Sequence, residues 1–198
     1  MTSAAPVTAQ LIAAAAAPHP AVVCAVADRP LDVPTPCREW DVRALVRHLL
    51  YWTPILAATG RREAPVPPAP DESGGLEVDH GWPGALASSR ADLVTVWSDP
   101  DAWSGTVSMG GPAELPAAMI GGMVLGELVL HGWDLARSAG VDPHWPHEVL
   151  DGALAAVGAM AQQGRGMGVF APAVPVPPDA PTLDLVVALS GRNPRWTG

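Results

Sequence analysis

The chain has 198 residues, a length suited to one domain over 1–198, and its 48% hydrophobic content is ample for a core. All eleven basic residues are arginine and the formal charge is −9, which excludes a nucleic-acid-binding surface, since that needs clustered positive charge. Two cysteines, Cys24 and Cys37, cannot build a disulfide framework and read as free thiols in a reducing cytoplasm.

The first seventeen residues are rich in Ala but lack the basic start of a signal peptide. Residues 6–17 read as helix, Pro18 and Pro20 interrupt, and 21–28 either resumes the helix or forms a separate turn. Pro30, Pro34 and Pro36 make 29–39 an extended connector. A second helix starts from an Asp41 N-cap and runs to about Thr59, with Gly60 as its stop. Val42, Leu45, Leu49, Trp52 and Leu56 form its apolar stripe, and His48 shares that stripe. Arg43 and Arg47 lie on the other side, and with Arg61 and Arg62 they read as a solvated face and its exit.

Residues 61–80 form a polar loop rich in Pro and Gly, long for a compact domain and of the kind used as lids. A third helix spans about Pro83–Ser98, with Arg90 on its inward side. A short β-like piece, Gly105–Met109, precedes a long helix from about Pro116 to Ser138 that ends at Gly140. Gly121, Gly122, Gly126 and Gly132 each lower its helix propensity by roughly 1 kcal/mol relative to Ala, so close packing against a neighbour is expected there. The apolar run 115–131 carries Glu127 and several Gly and is not a membrane span. Further helices cover about 146–163 and 182–190, separated by a segment rich in Gly and Pro.

The chemistry is concentrated in the long helix. Glu127 and His131 are four residues apart and Asp134 follows three later, so all three share one stripe of a face that is otherwise apolar. Buried ionisable groups are costly unless paired or bound to a metal. His48 on the second helix would complete a set of two imidazoles and one carboxylate, which suits a divalent ion and leaves coordination positions open. A plain surface ion pair and a core histidine are the alternative explanations of these residues. Asp134 either holds a ligand histidine in place or pairs with Arg137 one turn on, the simpler expectation. His80 and Arg90 are the candidate catalytic groups: His80 opens the third helix and would face the site or remain solvated, and Arg90 would bind an anion in the cavity or lie at the surface. His144 and His147 flank Trp145 and Pro146 as a helix start or a second metal position. Cys37, after Pro36 and far in sequence from any His, is expected to be a buried inert thiol. Arg165, between two glycines, would reach a ligand from a loop. The eight Trp are assigned to core and cavity wall.

Three stretches carry a family resemblance. Thr35 to His48 (TPCREWDVRALVRH), Glu127 to Ala136 (ELVLHGWDLA) and Gly191 to Trp196 (GRNPRW) resemble the actinobacterial metal-binding proteins related to mycothiol-dependent maleylpyruvate isomerase, in the DinB-like superfamily. The likeness runs from about residue 35 to the end and is poor over 1–30 and 61–80. It implies an all-α fold: a four-helix bundle with extra short helices and a Pro-rich C-terminal segment. It also implies a zinc or nickel ion held at the positions of His48, Glu127 and His131, with Arg90 the nearest match to a further important arginine. The larger isomerase has a C-terminal domain for which this chain is too short, so its substrate need not be maleylpyruvate. The implied chemistry is a low-molecular-weight thiol such as mycothiol, activated by the metal, adding to a small electrophile, for S-transfer or isomerisation. Two other readings stand beside it: a thiol-independent Lewis-acid enzyme acting on an apolar secondary metabolite, and a non-catalytic metal- or ligand-binding stress protein. Partners are thus small molecules, with no nucleic acid and no membrane, and the chain is a monomer or homodimer.

Overall fold

The structure, a computed structural model, describes residues 4–198 except 39 and 74, and only the backbone of 4–7. Glu39 of the first resemblance motif lies outside the described residues. The described residues form seven α-helices: α1 (Ala4–Ala16), α2 (His19–Ala27), α3 (Val42–Gly60), α4 (Trp82–Trp97), α5 (Ala117–Ala139), α6 (His147–Gly166) and α7 (Thr182–Leu189). Strands β1 (Thr106–Ser108) and β2 (Glu114–Pro116) form an antiparallel hairpin before α5, with Val107 opposite Leu115. Among the described residues the fold is all-α apart from that hairpin. The stretch 21–28, left open by the sequence, is a separate helix that already begins at His19 and ends at Ala27, with Asp28 as its C-cap.

The helix starts follow from local chemistry. The Asp41 carboxylate accepts from the Ala44 N–H at 2.7 Å, which satisfies one of the free donors at the start of α3. Gly140, at φ 71°, closes α5, and Val141 N–H donates back to Ala136 O at 2.9 Å.

Helix α5 is the hub. It packs on α1, α2, α3 and α6, while α3 also packs on α4 and α4 on α1 and α2, so these elements close a ring around the core. Ile12, Leu56, Trp97, Trp103, Val124 and Val129 fill one end of that core. Val26, Leu45, Val46, Leu86 and Leu135 fill the other. Thr8–Ala27 is long and apolar enough to cross a membrane by length and composition alone. Here it is broken at Ala17–Pro18 into α1 and α2, both packed on α5.

Close approach explains two of the four α5 glycines, Gly121, where a Cβ would lie 2.6 Å from the Trp103 ring, and Gly132. A Cβ at Gly132 would lie 2.8 Å from His19 Nε2 and 3.2 Å from the Trp145 ring. The bare backbone lets His19 reach Leu128 O at 2.8 Å. Burial, and then the charge of Arg90, pushes the His19 imidazole well below its usual range, so the ring is neutral and donates through Nε2.

Candidate metal centre

The first ligand candidates come from α5. One helical turn places Glu127 and His131 on the same face, with His131 Nε2 3.3 Å from Glu127 Oε2. Packing of α3 on α5 brings in His48, whose Nε2 lies 3.4 Å from the same oxygen. All three ligand atoms lie within 4.8 Å of one another. A tetrahedral ion with bonds of about 2.0–2.1 Å has ligand atoms spaced about 3.3–3.4 Å apart. Both spacings to Glu127 fall in that range, and both are long for hydrogen bonds to a carboxylate. The donor set of two imidazoles and a carboxylate fits a divalent ion.

Each histidine is held by a carboxylate at its other nitrogen. His131 Nδ1 lies 2.9 Å from Asp134 Oδ2 on the same helix. His48 Nδ1 lies 2.8 Å from Glu72 Oε1, which comes from the long loop 61–80. Each contact favours the tautomer with a proton on Nδ1 and a lone pair on Nε2, as ligand histidines need. Trp40 packs over both rings, with centroids 4.8 Å from His48 and 6.2 Å from His131.

The charges in this cluster are mutually supporting. Burial pulls the His48 imidazole down, but hydrogen bonds to Glu127 and Glu72 outweigh it and hold the group up at about 9. Burial pushes the Glu127 carboxyl up, and the His131 and His48 rings overcome this, holding it down at about 2. The negative group at the centre of the triad therefore recruits positive charge.

The Asp134 carboxylate is fully buried and pairs with Arg192, not with Arg137 as its position in the chain suggests. Arg192 Nε reaches Oδ1 at 2.8 Å and Nη2 reaches Oδ2 at 2.7 Å, a two-pronged pair. Gly191, at φ 89°, turns the chain beyond α7 so that this guanidinium points inward, and a Cβ there would press on Ala171. Arg137 instead bonds Asp142 and Trp196 O.

A cavity of about 610 Å³ opens beside the triad. His48, Glu127, His131, Glu72 and Arg192 line its polar side. Trp52, Leu56, Met109, Met123, Leu130 and Phe170 make an apolar side. The three candidate ligands thus share one cavity with an apolar, aromatic wall.

The remaining candidates lie elsewhere. His80 is exposed at the start of α4 and does not line the cavity. His144 and His147 are exposed and stand apart from the triad. Arg165 donates to Leu189 O at 3.2 Å and so ties α6 to α7. Arg90 does point inward, yet not into the large cavity. Its guanidinium is buried with Nη1 and Nη2 unpartnered, beside a space of about 20 Å³ that also touches Glu127 and Thr53. Burial pulls it down to about 9, and the Glu127 charge pulls the other way. Arg90 therefore supports Glu127 from behind and is not placed to bind an anion in the main cavity. Cys37 does line the cavity, near His131 and Asp134. The Arg192 fork already occupies the Asp134 oxygens, so that second group is not an ion position. Burial pushes the Cys37 thiol up to about 12, with Arg192 pulling down.

Sequence reasoning missed Glu72, Arg192 and His19. Glu72 sits in a loop without periodicity, and Arg192 follows the last helix by three residues. The only available signal was the resemblance of the GRNPRW ending.

Comparison with known proteins gives the chain a family. Residues 12–136 match the family model described as mycothiol maleylpyruvate isomerase N-terminal domain. An uncharacterized protein from each of two Mycobacterium tuberculosis strains is 30% identical over 171 residues, covering 83% of this chain and 86% of the relative. No solved structure matches. With more than half of its length matched, and with a mycobacterial relative aligned over most of both chains, the chain belongs to the mycothiol maleylpyruvate isomerase N-terminal domain family, an actinobacterial DinB-like group.

Proposed function

We propose that the protein is a metal-dependent enzyme in which His48, Glu127 and His131 hold one divalent ion, zinc or nickel, and a low-molecular-weight thiol of the mycothiol type reacts with a small electrophile. The single observation that carries this reading is the convergence of His48 Nε2, Glu127 Oε2 and His131 Nε2 at the edge of a 610 Å³ cavity. The ion would supply positive charge that favours loss of a thiol proton at neutral pH. In the transfer, the thiol S–H bond breaks, an S–C bond forms at the electrophilic carbon, and the displaced electron pair takes up a proton. Departure of the thiol again gives isomerisation. The chain itself orients and encloses: Asp134 and Glu72 fix the imidazole rings, and the Trp52–Phe170 side holds the apolar body of the electrophile away from water. Arg192, from beyond the family-model match, completes the site, so residues 1–198 act as one unit in a DinB-like bundle, in the cytoplasm. Neither a nucleic acid nor a membrane takes part.

Elemental analysis of the native protein and of His131→Ala tests the ion: about one equivalent in the first and loss in the second. Thiol consumption with a panel of electrophiles, mycothiol included, tests the reaction, and no consumption by ion-loaded protein would remove the thiol step. A second reading, a Lewis-acid enzyme without a thiol, is favoured by the apolar wall of Leu56, Met109, Met123 and Phe170. Turnover of an aromatic substrate in thiol-free buffer would select it.

A further inference from the structure

We propose that Glu72 is a positioning residue that couples occupancy of the ion site to docking of the 63–80 segment over the cavity. This rests on the reading of His48, Glu127 and His131 as ion ligands.

Both oxygens of Glu72 are committed, one to each of two neighbours on α3. Oε1 lies 2.8 Å from His48 Nδ1, and Oε2 accepts from Trp52 Nε1 at 2.7 Å. His48 and Trp52 are one helical turn apart, so the carboxylate spans one face of α3. It also lines the cavity, between a candidate ligand and the aromatic wall. The far end of the segment is anchored: Arg47 donates to Leu76 O at 3.2 Å, Arg43 to Val78 O at 3.5 Å, Leu76 packs with Ala69 on Tyr51 and Ile55, and Val78 is buried in the core. From Glu63 to Ser73 Ala69 alone is buried, so Glu72 is the charged clamp of a stretch with few apolar contacts. Segments of that kind open at low free-energy cost.

The coupling follows from the two nitrogens of one ring. Donation of the Nε2 lone pair to a divalent ion requires the proton to stay on Nδ1, and it makes that N–H a stronger donor to Glu72. A docked Glu72 in turn fixes the ring plane and raises its basicity toward the ion. Any gain in ion affinity from docking must be matched by an equal gain in docking from the ion. Glu72→Ala removes both acceptors, whereas Glu72→Gln keeps one carbonyl oxygen for two donors.

The test is zinc affinity measured by competition with a chromophoric chelator, together with amide hydrogen exchange over Leu76–Val78 with and without zinc. Glu72→Ala is expected to weaken zinc binding about 10–100-fold, with the melting temperature of the zinc-free protein close to wild type. Glu72→Gln should recover part of the loss. Zinc should slow exchange over Leu76–Val78 in wild type but not in Glu72→Ala. Trp52→Phe should speed exchange there while keeping most of the zinc affinity. Zinc binding by Glu72→Ala within twofold of wild type overturns the proposal, as does wild-type exchange that ignores zinc. If wild type itself retains no divalent ion, the reading of the site falls and takes this inference with it; a wild type that binds zinc while Glu72→Ala binds it equally well removes the inference alone.

Discussion

The two histidines that face Glu127 are held in the same way by very different parts of the molecule. His131 is braced by Asp134, three residues away on the same helix, fully buried and clamped by Arg192. His48 is braced by Glu72, 24 residues away on a loop, with its side chain 35% exposed. The contact distances are 2.9 and 2.8 Å, so distance does not separate them. What differs is the cost of removing each brace. One is fully buried in the core; the other sits on a stretch, 63–73, in which Ala69 alone is buried. With one fixed and one adjustable half, opening of the Glu72 side would loosen an ion held at the triad, because docking of Glu72 and ion binding support each other.

The largest expected effect is on the fixed half. Asp134→Ala strands the buried Arg192 guanidinium without a counter-charge, and removing one partner of a buried pair costs about 3–5 kcal/mol. A urea titration should show that loss as a lower midpoint with unchanged slope. The double variant Asp134→Ala/Arg192→Met should regain part of the stability, because no buried charge remains. A fall below about 1 kcal/mol for Asp134→Ala alone would mean that both braces are equally dispensable and would break the comparison.

Next comes the packing beneath the fixed brace. Gly132→Ala sets a methyl group 2.8 Å from His19 Nε2 and 3.2 Å from Trp145. Overpacking of this kind costs about 1–3 kcal/mol, offset by up to roughly 1 kcal/mol of helix propensity. Thermal melts should therefore show net destabilisation. The control is Gly122→Ala, whose new methyl group meets only Ala156 Cβ at 3.5 Å and is expected to be neutral or stabilising. Equal melting temperatures for the two variants would show that α2 is not seated tightly on α5.

The same division explains what the sequence could say. His48, Glu127 and His131 were legible because helical spacing alone puts Glu127 one turn from His131 and puts His48 on an apolar stripe. Helix α5 was legible nearly to its ends, since a long apolar run and a closing Gly140 mark it. The braces were legible only where they are local. Asp134 could be seen as a candidate to hold His131, but its cation was assigned to Arg137, the nearest arginine on the helix. Arg192 reaches it through tertiary packing of α7 and a glycine turn, which no periodicity encodes. Glu72 was invisible for a related reason: its loop has no repeating pattern, and contact with His48 depends on how the loop lies across α3. Arg90 was correctly placed inward by its stripe, yet which of two spaces it faces depends on how α4 seats against α3 and α5. His80 has no such stripe around it, and solvent is where the start of α4 leaves it.

The smallest expected effect uses the two thiols as reporters on the fixed half. Cys37 lines the cavity close to Asp134 and Arg192, whereas Cys24 is exposed on α2. Alkylation requires the thiolate. Burial holds the Cys37 thiol up at about 12, with only Arg192 pulling strongly the other way. At pH 8 the thiolate fraction of Cys37 is then on the order of one part in ten thousand, and it rises tenfold per pH unit. Iodoacetamide at pH 8, read by intact-protein mass spectrometry, should add one group quickly, mapped to Cys24, and a second only in denaturant. Glu72→Ala wets the cavity that Cys37 lines and removes one carboxylate that holds its thiol up, so labelling of Cys37 should rise modestly. Asp134→Ala should speed it more, because Asp134 raises the thiol more than Glu72 does and its loss loosens the core around Cys37. Fast labelling of Cys37 in the intact wild type would place water deep on the Asp134 side and erase the contrast between the two halves.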